Sequence, residues 1–478
     1  EKGVAPQYRE VIAENYSNHS DRPDYTMTLR GVAKFFVEAK KPAVDITRAE
    51  APAFQTRKYG WNAKHRIAVL TNFEYLAVYD TCYLPNEKDD CAIARYRLYH
   101  YTEYMEKFIE INDLISRDTV YSGEFDKNIN NRSFEIGAQT QQVDEMFLSQ
   151  INGWRVALSN ELYSKGGRYK SLEVLNDVVQ EFINQIVFLR ICEDKNLPLY
   201  HNLKETITNK SQLKGQLEQL FRTADHRYNS GMFSGDDIIF DLSCDVISEM
   251  IEGLYYPQSP YLFNIIEPHV LGKIYELFLT EQLVALKDGS IGLQQKKECV
   301  NRSVVTTPTE IVKYMVEKTL TKVCAEKTPK ELLKIRIADI ACGSGVFLEE
   351  VFSYLQNYCV QWYLNAGQKE HLEEIGNHVY KLPLSEKKEI LCSCIYGIDI
   401  DIHAVEVAKF SLLIKLIEGE TAPSVALVTP ILPDLSANIF FGNALVSEKE
   451  MQGILNAESQ RLDLVPFDWK KINKGDFF

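Results

Sequence analysis

The sequence has no Cys-x-x-Cys pair, no Pro-Pro step, no long apolar run and no excess of positive charge. Each absence excludes something. Its ten cysteines are scattered, and the closest two, Cys392 and Cys394, fall in an apolar run expected to form a strand. Reduced core thiols are therefore expected rather than disulfides or zinc ligands. No stretch approaches the roughly 18 apolar residues of a membrane helix. The opening EKGVAPQYREVIAEN lacks both the basic and the apolar part of a secretory signal, so a cytoplasmic location without membrane contact is expected. With 53 basic against 67 acidic residues, a net charge of -14, the chain has no general surface for phosphate, because nucleic-acid affinity rests mainly on Lys and Arg. Any grip on DNA is expected to be local or to lie beyond residue 478.

What is present is an ordinary globular composition, 45% hydrophobic and 25% charged, in a chain too long for one core. The expected fold class is multidomain α/β, in three blocks. Residues 1–130 alternate β-like runs (YREVIAEN, PDYTMTLR, AKFFVEAKKP and HRIAVLTNFEYLAVYDT) with one helix over about 52–63. Residues 131–290 read as an all-helical connector. In it Leu172, Leu175, Val179, Phe182, Ile186 and Leu189 recur every three or four residues as one apolar stripe, and Arg190, Glu193 and Asp194 read as a helix-end charge cluster. Residues 291–478 alternate helices with the buried-strand runs IRIADIA, SCIYGIDI and ANIFFGN, the pattern of a Rossmann-like, doubly wound parallel sheet. Such sheets carry ligands at the carboxyl ends of their strands.

In PDYTMTLRGVAKFFVEAKKP, Asp24 heads one strand, and Glu38 and Lys40 stand two apart on the next, which puts them on one face. Carboxylates of Asp24 and Glu38 converging from adjacent strands suit Mg2+, which prefers oxygen ligands. The metal would acidify a water and offset charge on a phosphate, and the lysine would orient or deprotonate that water. A bare Glu-x-Lys on a strand is more often a solvated pair. Here Pro-Asp precedes it by one hairpin, the strand is apolar for an exposed edge, and Gln55 and Tyr59 follow at i, i+4 spacing. Together these resemble the PD-(D/E)xK nucleases, in the branch with a Q-x-x-x-Y helix. The resemblance implies that Gln55 and Tyr59 lie near the metal and the DNA backbone. An acidic residue on an earlier helix often completes that site; Glu10 and Glu14 fall in a strand-like run, which places such a helix before residue 1.

The segment IADIACGSGVFLEEVF reads as a strand, a glycine loop and a helix start. Gly343 and Gly345 allow the turn and the close approach of a ligand. Asp399 ends the next strand, placed to accept bonds from ribose hydroxyls, and Asn443 ends a third, where its amide could read an adenine edge. Upstream, Thr307 is expected to cap a helix with Pro308 in its first turn. These elements in this order resemble the adenine-specific DNA methyltransferases, most specifically in the string Asp339 to Phe347. By resemblance, Thr307, Asp339, Ala341, Gly343 and Phe347 line the methionine side of S-adenosylmethionine, with Gly345 in the same cofactor loop, Asp399 and Ile400 line the adenosine, and Asn443 the adenine amino group. Thr306 stands where an aromatic is usual. The family's Asn-Pro-Pro-Tyr loop, which polarises the amino group of a flipped base, is missing; Asn196-Leu-Pro-Leu-Tyr200 lies in the helical block, and the fourth strand is expected to begin at KINKGDFF.

The joint order resembles the type IIG restriction-modification enzymes over essentially the whole chain. That implies metal-dependent cleavage of unmodified duplex DNA and methylation of adenine, with an incomplete methyltransferase domain and a DNA-recognition domain beyond residue 478. Two other readings are a phage-defence methyltransferase with an inert nuclease-like domain and a cofactor-sensing scaffold that docks DNA without chemistry. The segment PQSPYLFNIIEPHVLGKIYELFL is also similar to the family, with no chemistry of its own.

Overall fold

The computed structural model describes residues 10–13, 22–29, 32–130, 142–199, 201–228, 232–233, 238–266, 280–295, 307–376, 379–426, 428–446 and 465–469. Glu14, Tyr200, Thr306, residues 267–279 and the expected strand start at 471–478 lie outside them. The chain divides into two compact units, one of Glu1–Met146, Gly253–Glu267 and Glu374–Tyr380, the other of Phe147–Glu252, Pro268–Glu373 and Lys381–Phe478. No helix among the described residues is long and apolar enough to cross a membrane.

The first unit is built on a six-stranded sheet in sequence order: β1 (Val11–Ala13), β2 (Tyr25–Leu29), β3 (Val32–Ala39), β4 (Ile67–Thr71), β5 (Tyr75–Asp80) and β6 (Arg95–His100). Only β3 and β4 are parallel, joined by helix α1 (Glu50–Asn62); the other pairings are antiparallel. Side-chain alternation splits each strand between two cores. The short helices α2 (Phe108–Ile115), α3 (Arg117–Ser122) and α4 (Glu124–Asn130) follow β6; Phe35, Val69 and Val78 meet Val120, Phe125 and Ile129 of α3 and α4 on one side, while Leu70, Ala77 and Tyr79 meet Ala53 of α1 on the other. Helix α1 lies close to the sheet because it has glycine at position 60: a Cβ there would stand 2.4 Å from the Thr81 side chain. The run HRIAVLTNFEYLAVYDT is two strands, since Asn72 accepts the Tyr75 N–H at 2.7 Å and Phe73 takes φ 70° to close a turn. Strand β6 lacked the apolar alternation that marks the others.

In the second unit α5 (Val143–Lys165), α6 (Leu172–Asp194), α7 (Asn202–Thr206), α8 (Leu213–Tyr228) and α9 (Cys244–Glu252) form the helical block, except that the start of α5, through Met146, falls in the first unit. The α6 stripe is core: Leu175, Val179, Phe182, Ile186 and Leu189 are all buried. Arg190 pairs with Asp194, and Glu193 accepts the Leu203 N–H of α7 at 2.8 Å, so that charge cluster does join helix ends. The block is not helical throughout. Residues 281–285, placed in it from sequence, form β7 (Glu281–Ala285), which pairs antiparallel with β8 (Ile291–Gln295) around the turn ending in Gly289. Short polar strands of this kind carry little periodicity.

Beyond these, α10 (Thr309–Cys324) packs on α11 (Val346–Asn365), and β9 (Ile337–Asp339), β10 (Ile395–Asp399) and β11 (Ile439–Phe441) form a parallel sheet with β10 central. Helix α12 (Leu384–Cys394) leads directly into β10, and α13 (Ile402–Leu416) follows it. Cys392 and Cys394 therefore sit on a helix and not a strand. The apolar run continues unbroken across the junction, so periodicity alone could not divide it, whereas burial of Leu384, Lys387, Ile390, Leu391 and Cys394 follows helical spacing. The nine described cysteines are free thiols.

The segment with no evident chemistry, PQSPYLFNII, belongs to the first unit and braces α1. Fully buried Asn62 donates to the Pro260 carbonyl at 2.9 Å and accepts the Leu262 N–H at 2.8 Å, and Leu262 packs with Phe36 and Tyr59. Asn62→Leu leaves both backbone groups buried without partners, costing about 1–3 kcal/mol for each. Urea denaturation should show a lower midpoint by that amount; an unchanged midpoint would mean that the brace contributes nothing.

Candidate active sites

The first site forms where β2, β3 and the start of α1 meet. Tyr25 pairs with Val37, so the same register sets Asp24 opposite Glu38. The Asp24 carboxylate accepts the Ala39 N–H at 2.8 Å, and the Asp24 N–H points at Glu38 Oε2, 3.4 Å away. Alternation along β3 sends Phe36, Glu38 and the following Lys40 to the α1 side. There Lys40 Nζ donates to Glu38 Oε1 at 2.5 Å and to Gln55 Oε1 at 3.0 Å, and Gln55 Nε2 donates to the Tyr59 hydroxyl at 2.6 Å. Asp24, Glu38, Lys40, Gln55 and Tyr59 thus lie on one continuous hydrogen-bonded chain, although 35 positions separate its ends.

Glu38 is 3% exposed, and burial pushes its carboxyl above the usual range; Asp24 adds to the rise, while Lys40 opposes it. Two carboxylates held together beside one lysine, Glu38 buried and Asp24 half-buried, are an oxygen-donor set with unmet negative charge, which fits a hard divalent cation. Among the described residues no cluster of three acidic, His or Cys side chains is formed. Glu10 is not a third ligand: Arg117 grips it with two bonds of 2.6 Å and Tyr121 with one of 2.7 Å. The residue missed from sequence is Asn62, whose role depends on a segment 198 positions away.

The second site lies at the carboxyl ends of the parallel strands. After β9 the Cys342 N–H bonds the Ile398 carbonyl at 3.0 Å, and Gly343 and Gly345 take φ 51° and 90°. Gly345 stands against Ala408 of α13, where a Cβ would come within 3.2 Å, and it is the N-cap of α11. Asp399, at the end of β10, accepts the Gly343 N–H at 2.8 Å with one oxygen and the Asp401 N–H at 2.9 Å with the other. A carboxylate has about four lone-pair positions, so two remain for ribose hydroxyls. Asp339 accepts the Ala341 N–H at 3.1 Å, and its carboxyl is raised by burial and by Asp399. Ile340 and Ile400 are exposed beside these acids, and Phe347 opens α11. Asn443 follows β11, with its own side-chain oxygen taken by the Leu445 N–H at 2.9 Å and its backbone paired to Val465 and Phe467. The polar and apolar groups here suit a ligand that is half sugar and half base.

Thr307 is not the cap of α10. Pro308 is the N-cap, because its carbonyl accepts the Ile311 and Val312 N–H groups at 2.9 and 3.1 Å. Proline has no N–H and already satisfies the N-cap backbone geometry, which leaves Thr307 one position outside the helix.

A family model described as the MmeI DNA-methyltransferase domain matches residues 316–461. The chain is 43% identical over 454 residues to the type II restriction enzyme and methyltransferase RM.Eco57I of Escherichia coli. Over that stretch it is similar to a type II restriction enzyme and methyltransferase. That alignment takes in 93% of this chain and 45% of the relative, so the chain spans less than half the length of that protein. A protein of Methanocaldococcus jannaschii provisionally named as a type II restriction enzyme and methyltransferase is 25% identical over 270 residues, 46% of this chain and 21% of its own. The crystal structure of the type IIG restriction endonuclease BpuSI overlaps 86% of this chain and 38% of its own at 13% identity, with a TM-score of 0.27. The methyltransferase domain implies S-adenosylmethionine as the methyl donor.

Because the Glu38 carboxyl is raised on folding, the folded state holds its proton more tightly than the unfolded chain does. Stability linked to this group is therefore full below 4.5, its ordinary value, and lost as pH rises through the folded value. Glu38→Gln, which is never charged, should be more stable than the wild type at mildly alkaline pH, and the gap should close at acid pH. Denaturation at both pH values reads this; a gap of opposite sign would show that the ion pair with Lys40 outweighs burial.

Proposed function

We propose that the chain carries the nuclease centre and the cofactor-binding part of a type IIG restriction-modification enzyme. In this reading residues 1–130 are a PD-(D/E)xK nuclease domain, 131–290 a connector and 291–478 part of a Rossmann-like, doubly wound methyltransferase domain. Duplex DNA is the substrate, cut when unmodified and otherwise methylated on the adenine amino group. The observation that carries it is the unbroken chain of bonds from Asp24 through Glu38, Lys40 and Gln55 to Tyr59.

Asp24 and Glu38 would hold Mg2+, which when bound acidifies a water and offsets charge building on the scissile phosphate. An ammonium has three donors. Lys40 uses two on Glu38 and Gln55, which aims the third at an incoming water or a phosphate oxygen. Gln55 is held in turn by Tyr59, so the lysine is oriented before DNA arrives and little ordering remains to be done on binding. In the second site Asp399 would take the ribose hydroxyls with its remaining lone pairs, Ile400 would flank the adenine, and Asn443 would face the adenine amino group. Thr307, Asp339, Ala341, Gly343, Gly345 and Phe347 would surround the methionine part.

Lys40→Ala or Glu38→Ala in the intact enzyme should abolish Mg2+-dependent cleavage of plasmid DNA and leave methylation intact; retained cleavage would sink the nuclease assignment and favour an inert domain. Asp399→Ala should weaken S-adenosylmethionine binding by about tenfold to a hundredfold, the worth of a charge-assisted bond to a hydroxyl at roughly 1.5–3 kcal/mol. Equal affinity by calorimetry would move the ribose contact elsewhere, Asp401 being the nearest acid.

A further inference from the structure

Helices α6 and α13 enclose a cavity of about 410 Å³ within the second unit. Asp177, Gln180, Glu181 and Asn184 line it from α6, at i, i+3, i+4 and i+7, the spacing of one helical face. This is a polar stripe on a helix whose opposite side is largely apolar and buried. Opposite it, Ile402, Glu406, Phe410 and Leu413 line it from α13. His403 closes one end, 3.4 Å from Asn176 and 3.7 Å from Asp177. Phe410 meets Phe188 at the other. Met232, whose carbonyl is held by Gln185 at 2.9 Å, covers the side.

Two of the lining residues, Gln180 and Asn184, carry unpaired amide atoms. Gln180 is 4% exposed and Asn184 8%, yet neither the oxygen nor the nitrogen of the Gln180 amide has a partner, nor has the Asn184 oxygen. Buried amides left without partners destabilise a fold, and an apolar side chain at either position would have filled the space at no such cost. What these groups await is a ligand with one acceptor beside a donor, and a second donor. An adenine edge has that pattern: a glutamine amide pairs with its amino group and a ring nitrogen together, and the other amino hydrogen is left for the Asn184 oxygen. Phe410 and Leu413 supply apolar contact for a planar base. Asp177, Glu181 and Glu406 would accept from sugar hydroxyls. The same three carboxylates oppose a phosphate, and the one lysine present, Lys409, is already paired with Glu406 at 2.9 Å.

We propose that the cavity between α6 and α13 is a second small-molecule site, for an adenine nucleoside without phosphate. The two sources of that chemistry are free adenosine and an S-adenosyl compound. The cavity shares no lining residue with the strand-end cofactor site, and the proposal does not rest on that site's assignment.

Calorimetry of the chain with adenosine, AMP and S-adenosylmethionine tests it. Adenosine should bind, AMP at least tenfold more weakly. Gln180→Leu should lose at least tenfold in adenosine affinity while melting no lower than the wild type, since an unpaired amide has been removed. Gln180→Glu, which keeps the size and removes the donor, should lose affinity likewise and serves if the leucine variant does not fold. Two equivalents of S-adenosylmethionine, one of them lost in Gln180→Leu, would make the S-adenosyl group the occupant; one equivalent, with adenosine still binding in its presence, would make it the free nucleoside. The proposal is overturned by adenosine failing to bind, which leaves only water in the cavity. It is equally overturned by unchanged affinity in both Gln180 variants, or by displacement of adenosine by a single equivalent of S-adenosylmethionine.

Discussion

The first unit depends on the pairing register of β3. This strand is antiparallel to β2 on one side and parallel to β4 on the other, so its position is set twice. A slip of one residue would send Glu38 and Lys40 to the face covered by Val120 and Phe125 and bring Phe35 and Val37 towards α1. Both cores would be spoiled along with the site. The apolar requirement of Phe35 for one face and Phe36 for the other therefore holds two charged side chains in place that the hydrophobic effect alone would expel. Holding Glu38 in the dry site has a cost, visible in its raised carboxyl, and Lys40 offsets part of it.

The second unit meets a similar demand through backbone rather than core. Glycines with positive φ at 343 and 345 let the loop after β9 fold back, and the acid that ends β10 bonds the loop at the Gly343 N–H. Strand end and loop are thus joined by the residue proposed to take the ribose. The proposed site is organised by the same carboxylate that is proposed to take the ligand, and its bond to the loop limits how far the loop can open.

Helix α1 shows how distant sequence supports a local motif. Gln55 and Tyr59 lie on it, Gly60 brings it close to the sheet, and Asn62 fastens its end to residues 260 and 262. A segment between stretches of the second unit thereby returns to the first. In the helical block the reverse holds: α6 is apolar for core reasons, and four of its polar residues, Asp177, Gln180, Glu181 and Asn184, line one cavity.

The sequence by itself determined the strands with clear alternation, α1, the α6 stripe and the three parallel strand runs, because period 2 and period 3.6 follow from local backbone geometry. It also carried the residues of both candidate sites, since Glu-x-Lys, the i, i+4 pair and the glycine loop are local spacings. It did not divide the apolar run at Cys394, where the last turn of the helix and the strand after it are equally apolar and no turn residue separates them. Nor did it mark β7, too short and polar for a pattern. Only the tertiary structure decided that Pro308 rather than Thr307 caps α10, that Glu10 belongs to Arg117, and that Asn62 joins residue 260. The last two rest on contacts between segments up to 200 positions apart, and no local spacing encodes which distant group arrives to satisfy a buried polar atom.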